Sequence, residues 1–303
     1  MRRTGPKTVL LTGASSGIGA AVARELAWGT HRLALTARRA DLLEALADDL
    51  RSRGAEVLVL PADLADPATP ERLASAVVER FGGLDVLINN AGFGLPQTFG
   101  AADPGAIRRQ IEVNLTAPIL LTRRALPLLL ASRGMVINVG SSITSVAIPI
   151  FGVYGATKAG LAYWNDALRR EVRPRGVRVC LVEPGPVATE FLAAATALRE
   201  KEDPGQGPAP SLLERSMREP PPQFLRADAA DAARRVVRLL DRPRRRLSFL
   251  RRTVWPYRML GGLVQVAPWL GDWSLAAMAG RRGPKDDMVQ RRAEDSDDAA
   301  PPR

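Results

Sequence analysis

The sequence predicts a doubly wound α/β domain, in which a parallel sheet carries helices on both faces. Between residues 8 and 190, short runs rich in leucine and β-branched residues alternate with longer helical stretches, and this order is typical of βαβ units. The short runs are apolar at almost every position, which indicates strands buried on both faces of a parallel sheet. Right-handed crossovers then place the helices on both sides of that sheet.

Each element of this domain follows from its own segment of sequence. The apolar runs predict strands at 8–12, 32–36, 56–60, 85–89, 135–139 and 177–182. The stretches between them predict helices near 17–29, 40–53, 70–81, 104–131 and 153–173. After residue 190, proline-rich segments break the alternation, and the remaining predicted elements are helices near 211–218 and 227–241 and a last strand at 246–250.

We expect one domain over residues 1–250. The 190–225 segment follows the sixth strand, and it should cover a ligand site at the carboxyl edge of the sheet as a lid. Its apolar residues suggest an apolar substrate pocket, with simple packing on the sheet as the equal alternative. Residues 251–280 form an apolar and basic C-terminal extension, and the polar tail at 281–303 is expected to be disordered.

The composition excludes several kinds of site. Cys180 is the only cysteine and His31 the only histidine in 303 residues. An internal disulfide and a cysteine-rich metal site are therefore excluded, and neither a zinc site nor a Ser-His-Asp triad is expected. The sequence shows no signal peptide and no apolar run of membrane-spanning length, which predicts a cytoplasmic protein.

The formal charge of +11 is concentrated in one segment, because residues 234–258 contain ten arginines and one acidic residue, Asp241. Arginines beside tryptophan and leucine over residues 242–280 suggest contact with an anionic membrane surface. Packing of this segment on its own domain or on a partner subunit is the alternative. No nucleic-acid-binding module accompanies the charge, so nucleic acid is not expected as a partner.

A glycine-rich turn follows the first predicted strand. The sequence TGASSGIG at residues 12–19 leads into a helix, where glycines let backbone N–H groups approach a pyrophosphate at the helix N-terminus. An ordinary turn between a strand and a helix is the alternative. The candidate cofactor-binding residues of this turn are Gly13, Ser15, Ser16, Gly17, Ile18 and Gly19.

The end of the second strand indicates which dinucleotide is preferred. An acidic residue usually binds the ribose 2′-hydroxyl of NAD at this point, but this sequence has Ala37 followed by Arg38 and Arg39. Guanidinium groups bind phosphate through charge-assisted hydrogen bonds, so we predict NADP(H) as the preferred cofactor and NAD(H) as the alternative. Arg38 is the favoured ligand of the 2′-phosphate, and Arg39 is either a second ligand or a solvent-facing residue.

The third and fourth strands also end in candidate cofactor contacts. Asp63 and Leu64 follow the third strand, where a carboxylate could meet the adenine amino group. Asn90, Ala91 and Gly92 follow the fourth strand. Small residues at that point let the chain pass close to a bound cofactor.

The most specific chemical motif is the pair Tyr154 and Lys158, which lie four residues apart on one face of a predicted helix. A free phenol titrates at about pH 10, and an adjacent ammonium favours the phenolate. We therefore predict a lowered pKa for Tyr154 and a role in moving a proton to or from a carbinol oxygen. A surface pair on a helix is the alternative.

Two further polar residues are candidates for the same site. Ser141 lies just past the fifth strand, and its hydroxyl could donate to a substrate carbonyl oxygen, with Ser142 as its rival. Asn114 lies inside the predicted 104–131 helix, where asparagine is unfavourable. It is either a solvent-facing residue or a side chain that binds water and extends a proton path from the lysine.

Together these motifs resemble the short-chain dehydrogenase/reductase family over about residues 7–190. The resemblance implies a Rossmann-like sheet, an NAD(P)(H) cofactor, and a hydride passed between the nicotinamide and a carbonyl or carbinol carbon. It also implies an oligomer built through the long helices. The matching motifs are TGASSGIG at 12–19, Asp63, NNAG at 89–92, Asn114, Ser141, YGATK at 154–158 and PGPVAT at 184–189.

The resemblance also implies a role for each matched residue. Tyr154 would be the acid/base, Lys158 would hold the nicotinamide ribose, and Ser141 would orient the substrate oxygen. Asn114 would support a proton-relay water. The positions implied to lie along the cofactor from the last motif are Pro184, Gly185, Val187 and Thr189.

The sequence thus predicts an NADP(H)-dependent oxidoreductase that acts on a carbonyl or secondary alcohol of an apolar small molecule. An NAD-dependent alcohol dehydrogenase is one alternative. A non-catalytic protein on the same fold, which senses a cofactor or docks on a membrane, is the other.

Overall fold

A computed structural model describes residues 5–96, 99–145, 147–184 and 228–248. The strands are β1 Thr8–Thr12, β2 Arg32–Ala37, β3 Glu56–Pro61, β4 Val86–Asn89, β5 Met135–Val139, β6 Arg178–Glu183 and β7 Arg246–Ser248. The helices are α1 Gly17–Ala27, α2 Ala40–Ser52, α3 Thr69–Phe81, α4 Pro104–Ile111, α5 Ala117–Ser132, α6 Gly152–Val172 and α7 Ala229–Arg238.

The seven described strands form one parallel sheet in the order β3-β2-β1-β4-β5-β6-β7. All five residues of β1 are buried, as the continuous apolar run predicted. Alternate side chains of this strand enter two separate cores, since Val9 and Leu11 belong to one cluster and Leu10 to the other. The predicted doubly wound α/β fold is therefore confirmed.

The two cores lie on opposite faces of the sheet. One contains apolar side chains of α1, α2 and α7, such as Leu26, Leu43 and Val236. The other contains those of α3, α5 and α6, such as Leu73 and Leu121. Each helix thus buries one apolar stripe against the strands that flank it.

The predicted 104–131 helix is interrupted by a π-helical turn over Glu112–Thr116. The cause is Pro118, which has no N–H to donate to the carbonyl of Asn114, four residues earlier. The N–H of Ala117 instead bonds to the carbonyl of Glu112, five residues back. Asn114 therefore sits in a π turn and is fully buried.

By length and mean hydropathy, the described residues include one helix that could cross a membrane, the continuous Pro104–Ser132 stretch. The sequence had predicted no such helix. The same stretch contributes Ala117, Leu121, Ala125 and Leu129 to the core beneath the sheet. Core helices of this kind pass the same test of length and composition, so that test alone is weak evidence for a membrane span.

The last strand is held at the sheet edge by ion pairs. Arg245 Nη2 lies 2.7 Å from Asp166 Oδ2 on α6, and Arg246 Nη1 lies 3.5 Å from Glu183 Oε1 at the end of β6. Part of the basic segment is thus paired within the domain. The predicted strand at 246–250 is confirmed over its first three residues.

A chain of buried amides joins β4, β5 and α6. Asn89 Nδ2 donates to Asn138 Oδ1 at 2.8 Å and to Thr122 Oγ1 at 3.0 Å, and Asn138 Nδ2 donates to Asn165 Oδ1 at 3.0 Å. The three asparagines are at most 3% exposed. They fix the register of helix α6 against the strands, because buried amides are costly unless they are paired.

Several predictions concern residues outside the described ranges. They are Gly185, Val187, Thr189, the 190–225 lid, the 211–218 helix, the 251–280 extension and the 281–303 tail.

Candidate active site

The predicted site residues gather at the carboxyl end of the sheet, around β1 and β4. Strand order reverses at β1, which has β2 on one side and β4 on the other. In doubly wound sheets, the crevice outside such a switch point is where ligands bind. The loops that follow β1, β4 and β5 all begin at this edge of the sheet.

The glycine turn is packed tightly against the loop after β4. Gly13 has φ +66°, and a Cβ there would lie 2.8 Å from the Cα of Ala91. A Cβ on Gly19 would lie 2.1 Å from the Gly13 carbonyl oxygen, so no side chain fits at either position. Asn90 Nδ2 locks the turn by donating to the carbonyls of Thr12 and Gly13, both at 3.0 Å.

The N-terminus of α1 is arranged to accept an anion. Ser16 occupies the N-cap, but its side chain makes no capping hydrogen bond, and the first turn contains no acidic residue. The backbone N–H groups of this turn are thus not capped by a side chain. Arg39 Nη2 lies 3.5 Å from Ser15 Oγ, which brings a guanidinium group beside the turn. These features fit the phosphates of a dinucleotide.

The two arginines after β2 have different neighbours. Arg39, the N-cap residue of α2, contacts the glycine turn through Ser15, so it is not simply a solvent-facing residue. Arg38 is exposed and lies close enough to Asp63 to lower the pKa of that carboxyl. Arg39 thus lies beside the glycine turn and Arg38 beside Asp63, and the preference for Arg38 as the phosphate ligand stays a prediction.

Asp63 has a partner that sequence analysis missed. Arg109 Nη2 on α4 lies 2.6 Å from Asp63 Oδ2, and the N–H of Ala65 donates to Asp63 Oδ1 at 3.0 Å. Partial burial raises the pKa of Asp63, but these two hydrogen bonds outweigh it and lower the pKa overall. The carboxylate is therefore ionised and oriented. The two residues are 46 positions apart, so no local pattern could have revealed the pair.

Tyr154, Ser141 and Lys158 come together beneath the crevice. Tyr154 is 8% exposed and Lys158 4% exposed, and the Tyr154 side chain is hydrogen-bonded to Ser141. Lys158 Nζ lies 5.9 Å from the centre of the Tyr154 ring and donates to the carbonyl of Val139 at 2.9 Å. A Cβ on Gly92 would come within 3.1 Å of Lys158 Nζ, so the glycine leaves room above the ammonium group.

Burial dominates the titration of both groups. It raises the pKa of Tyr154 to about 12, against the opposing effect of the hydrogen bond with Ser141. It lowers the pKa of Lys158 to about 8. The expected lowering of the Tyr154 pKa is thus not found, because burial of the phenol disfavours its charged form. At neutral pH Tyr154 is a phenol, which can give a proton.

Asn114 uses its side chain to organise the loop after β4. Its Oδ1 accepts from the N–H of Phe93 at 2.9 Å, and its Nδ2 donates to the carbonyl of Phe93 at 2.8 Å and to Thr157 Oγ1 at 3.2 Å. Asn114 is fully buried, so the solvent-facing interpretation is wrong, and its role in binding a water stays a prediction. Thr157, a further residue that sequence analysis missed, donates to the carbonyl of Tyr154 at 2.8 Å.

A cleft of about 130 Å³ lies at the start of α6, where Gly152 and Val153 form part of its wall. Gln110 is its one polar side chain among the described residues, and this amide donates to the carbonyl of Phe93 at 3.1 Å. The wall is otherwise apolar, formed by Leu95, Phe99, Ala102, Ile107, Ile148, Pro149, Ile150, Gly152 and Val153.

Three further predicted cofactor contacts, Leu64, Ile18 and Pro184, pack against other parts of the domain. Leu64 is 9% exposed and belongs to the core beneath the sheet, and Ile18 packs against the opposite core. Pro184 is buried, and its carbonyl accepts from the N–H of Ser142 at 3.0 Å. This contact joins the end of β6 to the loop that carries Ser141.

Comparison with known proteins agrees with this arrangement. A fatty acyl-CoA reductase of Mycobacterium tuberculosis is 38% identical over 197 residues, which are 63% of this chain and 66% of that protein. This chain therefore matches about two thirds of that relative's length.

Solved structures share the fold. A short-chain dehydrogenase from Sphingobium yanoikuyae in complex with NADPH has a TM-score of 0.70 and 29% identity, over 86% of this chain and 94% of that one. A short chain dehydrogenase/reductase from Burkholderia phymatum in complex with NAD has a TM-score of 0.78 and 23% identity, over 88% and 96%.

The family model described as short chain dehydrogenase matches residues 7–200, a range that contains the glycine turn, Asp63, Asn114, Ser141 and the Tyr154–Lys158 pair. With this match over well over half of its length, the chain belongs to the short-chain dehydrogenase family of oxidoreductases.

Proposed function

We propose that the chain is an NADP(H)-dependent reductase of carbonyl groups on apolar small molecules. The observation that carries this proposal is a buried phenol, hydrogen-bonded to Ser141, on the helix whose first two residues, Gly152 and Val153, line an apolar cleft. A polar substrate would lose hydration in such a cleft without gaining partners. Apolar groups gain by leaving water.

The choice of cofactor rests on the residues around the glycine turn. Arg39 and the Ser15 hydroxyl lie together at the end of β2, where they would bind a 2′-phosphate. Asp63, oriented by Arg109, would meet the adenine. When bound, the nicotinamide supplies the hydride. That the Sphingobium relative was solved with NADPH supports the choice, and NAD(H) remains the alternative to be tested.

The side chains beneath the crevice would bind the substrate oxygen and supply the proton that it takes up during reduction. Ser141 would donate a hydrogen bond to the substrate oxygen, where negative charge grows during reduction. Tyr154, a phenol at neutral pH, would pass its proton to the same oxygen. The Lys158 ammonium would favour the phenolate that forms. Asn114 would keep the Phe93 loop and Thr157 in place around these groups.

The membrane-docking alternative has less support. Arg245 and Arg246, inside the proposed surface of 242–280, are already paired with Asp166 and Glu183 within the domain. We propose that the enzyme is cytoplasmic and forms an oligomer.

Cofactor titration tests this function directly. Intrinsic fluorescence would follow binding of NADPH and NADH to the wild type, Arg39→Ala and Arg38→Ala. We expect NADPH to bind at least tenfold tighter (about 1.4 kcal/mol), with most of that preference lost in Arg39→Ala and less in Arg38→Ala. Equal or tighter binding of NADH would refute the NADP(H) assignment, and binding of neither would refute the enzyme proposal.

A further inference from the structure

The loop that leads into Tyr154 contains a backbone conformation that its residue disfavours. The N–H of Phe151 donates to the carbonyl of Ile148 at 3.2 Å and closes a β-turn. Pro149 is the second residue of the turn, and Ile150, the third, has φ +64°. Proline followed by a positive φ defines a type II turn, which calls for glycine or asparagine at its third position.

Isoleucine is among the residues least suited to that position. Among the described residues, the other positive φ values belong to five glycines and to Arg133 at the end of α5. Arginine is not β-branched, and Arg133 ends a helix, where the left-handed conformation is common. Ile150 is β-branched, which makes it a true outlier. Such strain persists only where the surrounding structure fixes it, and it gathers at functional sites.

The surroundings of the turn show what the strain maintains. Ile148, Pro149 and Ile150 all line the apolar cleft, and Val153, the neighbour of Tyr154, lines it as well. Phe151 is 6% exposed, and its ring meets the Tyr154 ring edge-on at 6.1 Å. The turn is thus anchored to Tyr154 on one side while Ile150 forms part of the cleft wall.

We propose that Ile150 is a specificity-determining residue, whose side chain limits the width of the substrate that can reach Tyr154. The inference rests on the proposed function and extends it to the shape of the substrate. A cleft of about 130 Å³ is close to the cavity of about 150 Å³ that binds benzene, so it accommodates about one six-membered ring. A glycine at position 150 would remove the backbone strain of the turn and widen the cleft, but the sequence has isoleucine there.

Three substitutions separate the side chain from the strain. Ile150→Ala removes the three carbons beyond Cβ and keeps a side chain at positive φ. Ile150→Gly removes both the side chain and the strain. Ile150→Val keeps a β-branched side chain and is the matched control, and Val78→Ala, an exposed position on α3, controls for loss of an apolar group elsewhere.

The assay compares a one-ring and a two-ring ketone. NADPH oxidation with cyclohexanone and with 1-decalone gives the ratio of the two kcat/KM values. We expect Ile150→Ala and Ile150→Gly to shift this ratio toward 1-decalone by roughly tenfold or more, the size of effect that one or more methylene groups produce in an apolar pocket. Ile150→Val, which removes a single carbon, should shift the ratio less than Ile150→Ala does, and Val78→Ala should leave the ratio within about threefold of the wild type.

An unchanged ratio in folded Ile150→Ala and Ile150→Gly would overturn the proposal. Folding is checked by thermal denaturation, and an intact cofactor site by the dissociation constant for NADPH. If the wild type reduces neither ketone, the proposed function fails, and calorimetric binding of the two ketones then decides the inference by itself. A shift in relative affinity toward 1-decalone in both variants would support a size limit at Ile150, and equal relative affinities would refute it.

Discussion

Replacing Lys158 by methionine should abolish catalysis and yet stabilise the fold at neutral pH. Lys158 is 4% exposed, and burial lowers its pKa from 10.5 to about 8. The Lys158 ammonium therefore has a higher free energy in the folded chain than in the unfolded chain. Methionine has a similar length and shape but no charge, so it removes this penalty without opening a cavity.

The size of the gain follows from the shift in pKa. At 1.36 kcal/mol per pKa unit, the buried charge costs about 3 kcal/mol at pH 7. Methionine also loses the hydrogen bond from Nζ to the Val139 carbonyl, 2.9 Å long, which contributes about 1 kcal/mol. The net expectation at pH 7 is a stabilisation of about 2 kcal/mol.

The pH dependence identifies the cause. Between pH 8 and 10.5 the unfolded chain keeps the Lys158 proton that the folded chain has lost, so the wild type gains stability from this group as the pH rises. The contribution of Lys158 to the free energy of unfolding is lowest below pH 8. The advantage of Lys158→Met should therefore shrink through this window and vanish by about pH 10.5.

Urea denaturation at pH 7 and at pH 10.5 measures the difference in free energy of unfolding between Lys158→Met and the wild type at each pH. Thr157→Val on the same helix, where the replaced residue is buried but has no charge, is the control, and its difference from the wild type should not depend on pH. Destabilisation of Lys158→Met at pH 7 by more than about 1 kcal/mol, or a gain that persists at pH 10.5, would refute the argument from desolvation.

Three further substitutions test other parts of the structure. Tyr154→Phe should lower turnover by about 10²- to 10⁴-fold with NADPH affinity unchanged, as measured by steady-state kinetics and fluorescence titration; residual activity above a tenth of wild type would contradict its role as acid. Asn138→Ala should lower the free energy of unfolding in urea by about 2–4 kcal/mol, because two buried amides each lose a partner; a loss under 1 kcal/mol would speak against the network. Arg109→Gln should change stability by less than about 1 kcal/mol, because its pair with Asp63 is partly exposed, but weaken dinucleotide binding severalfold, and unchanged affinity would make the pair purely structural.

Much of the fold could be predicted, because the burial of a strand is reflected in the polarity of its own consecutive residues. A strand buried on both faces must be largely apolar along its length, and the central strands β1, β4 and β5, which are buried throughout, follow that rule. The residues of the glycine turn and of the Tyr154–Lys158 pair were also accessible, since each motif is compact in sequence. The π turn depends on a single residue, because Pro118 lacks the N–H that would bond to the carbonyl of Asn114.

What the sequence did not provide depends on contacts between distant residues. Two adjacent arginines at the start of a helix are equivalent in sequence, and only the path of the glycine turn distinguishes Arg39 from Arg38. The pair of Asp63 and Arg109 joins β3 to α4. The titration of Tyr154 was predicted in the wrong direction for the cofactor-free chain, because the spacing of two residues gives their proximity but not their burial.

That error bears on the direction of the reaction. Burial raises the pKa of the Tyr154 phenol to about 12, so the phenol is the dominant form at neutral pH. Reduction of a carbonyl begins from the phenol, which is already the dominant form. Oxidation of an alcohol begins from the phenolate, which must first be stabilised against the same burial. Burial of Tyr154 therefore favours the reductive direction that we propose.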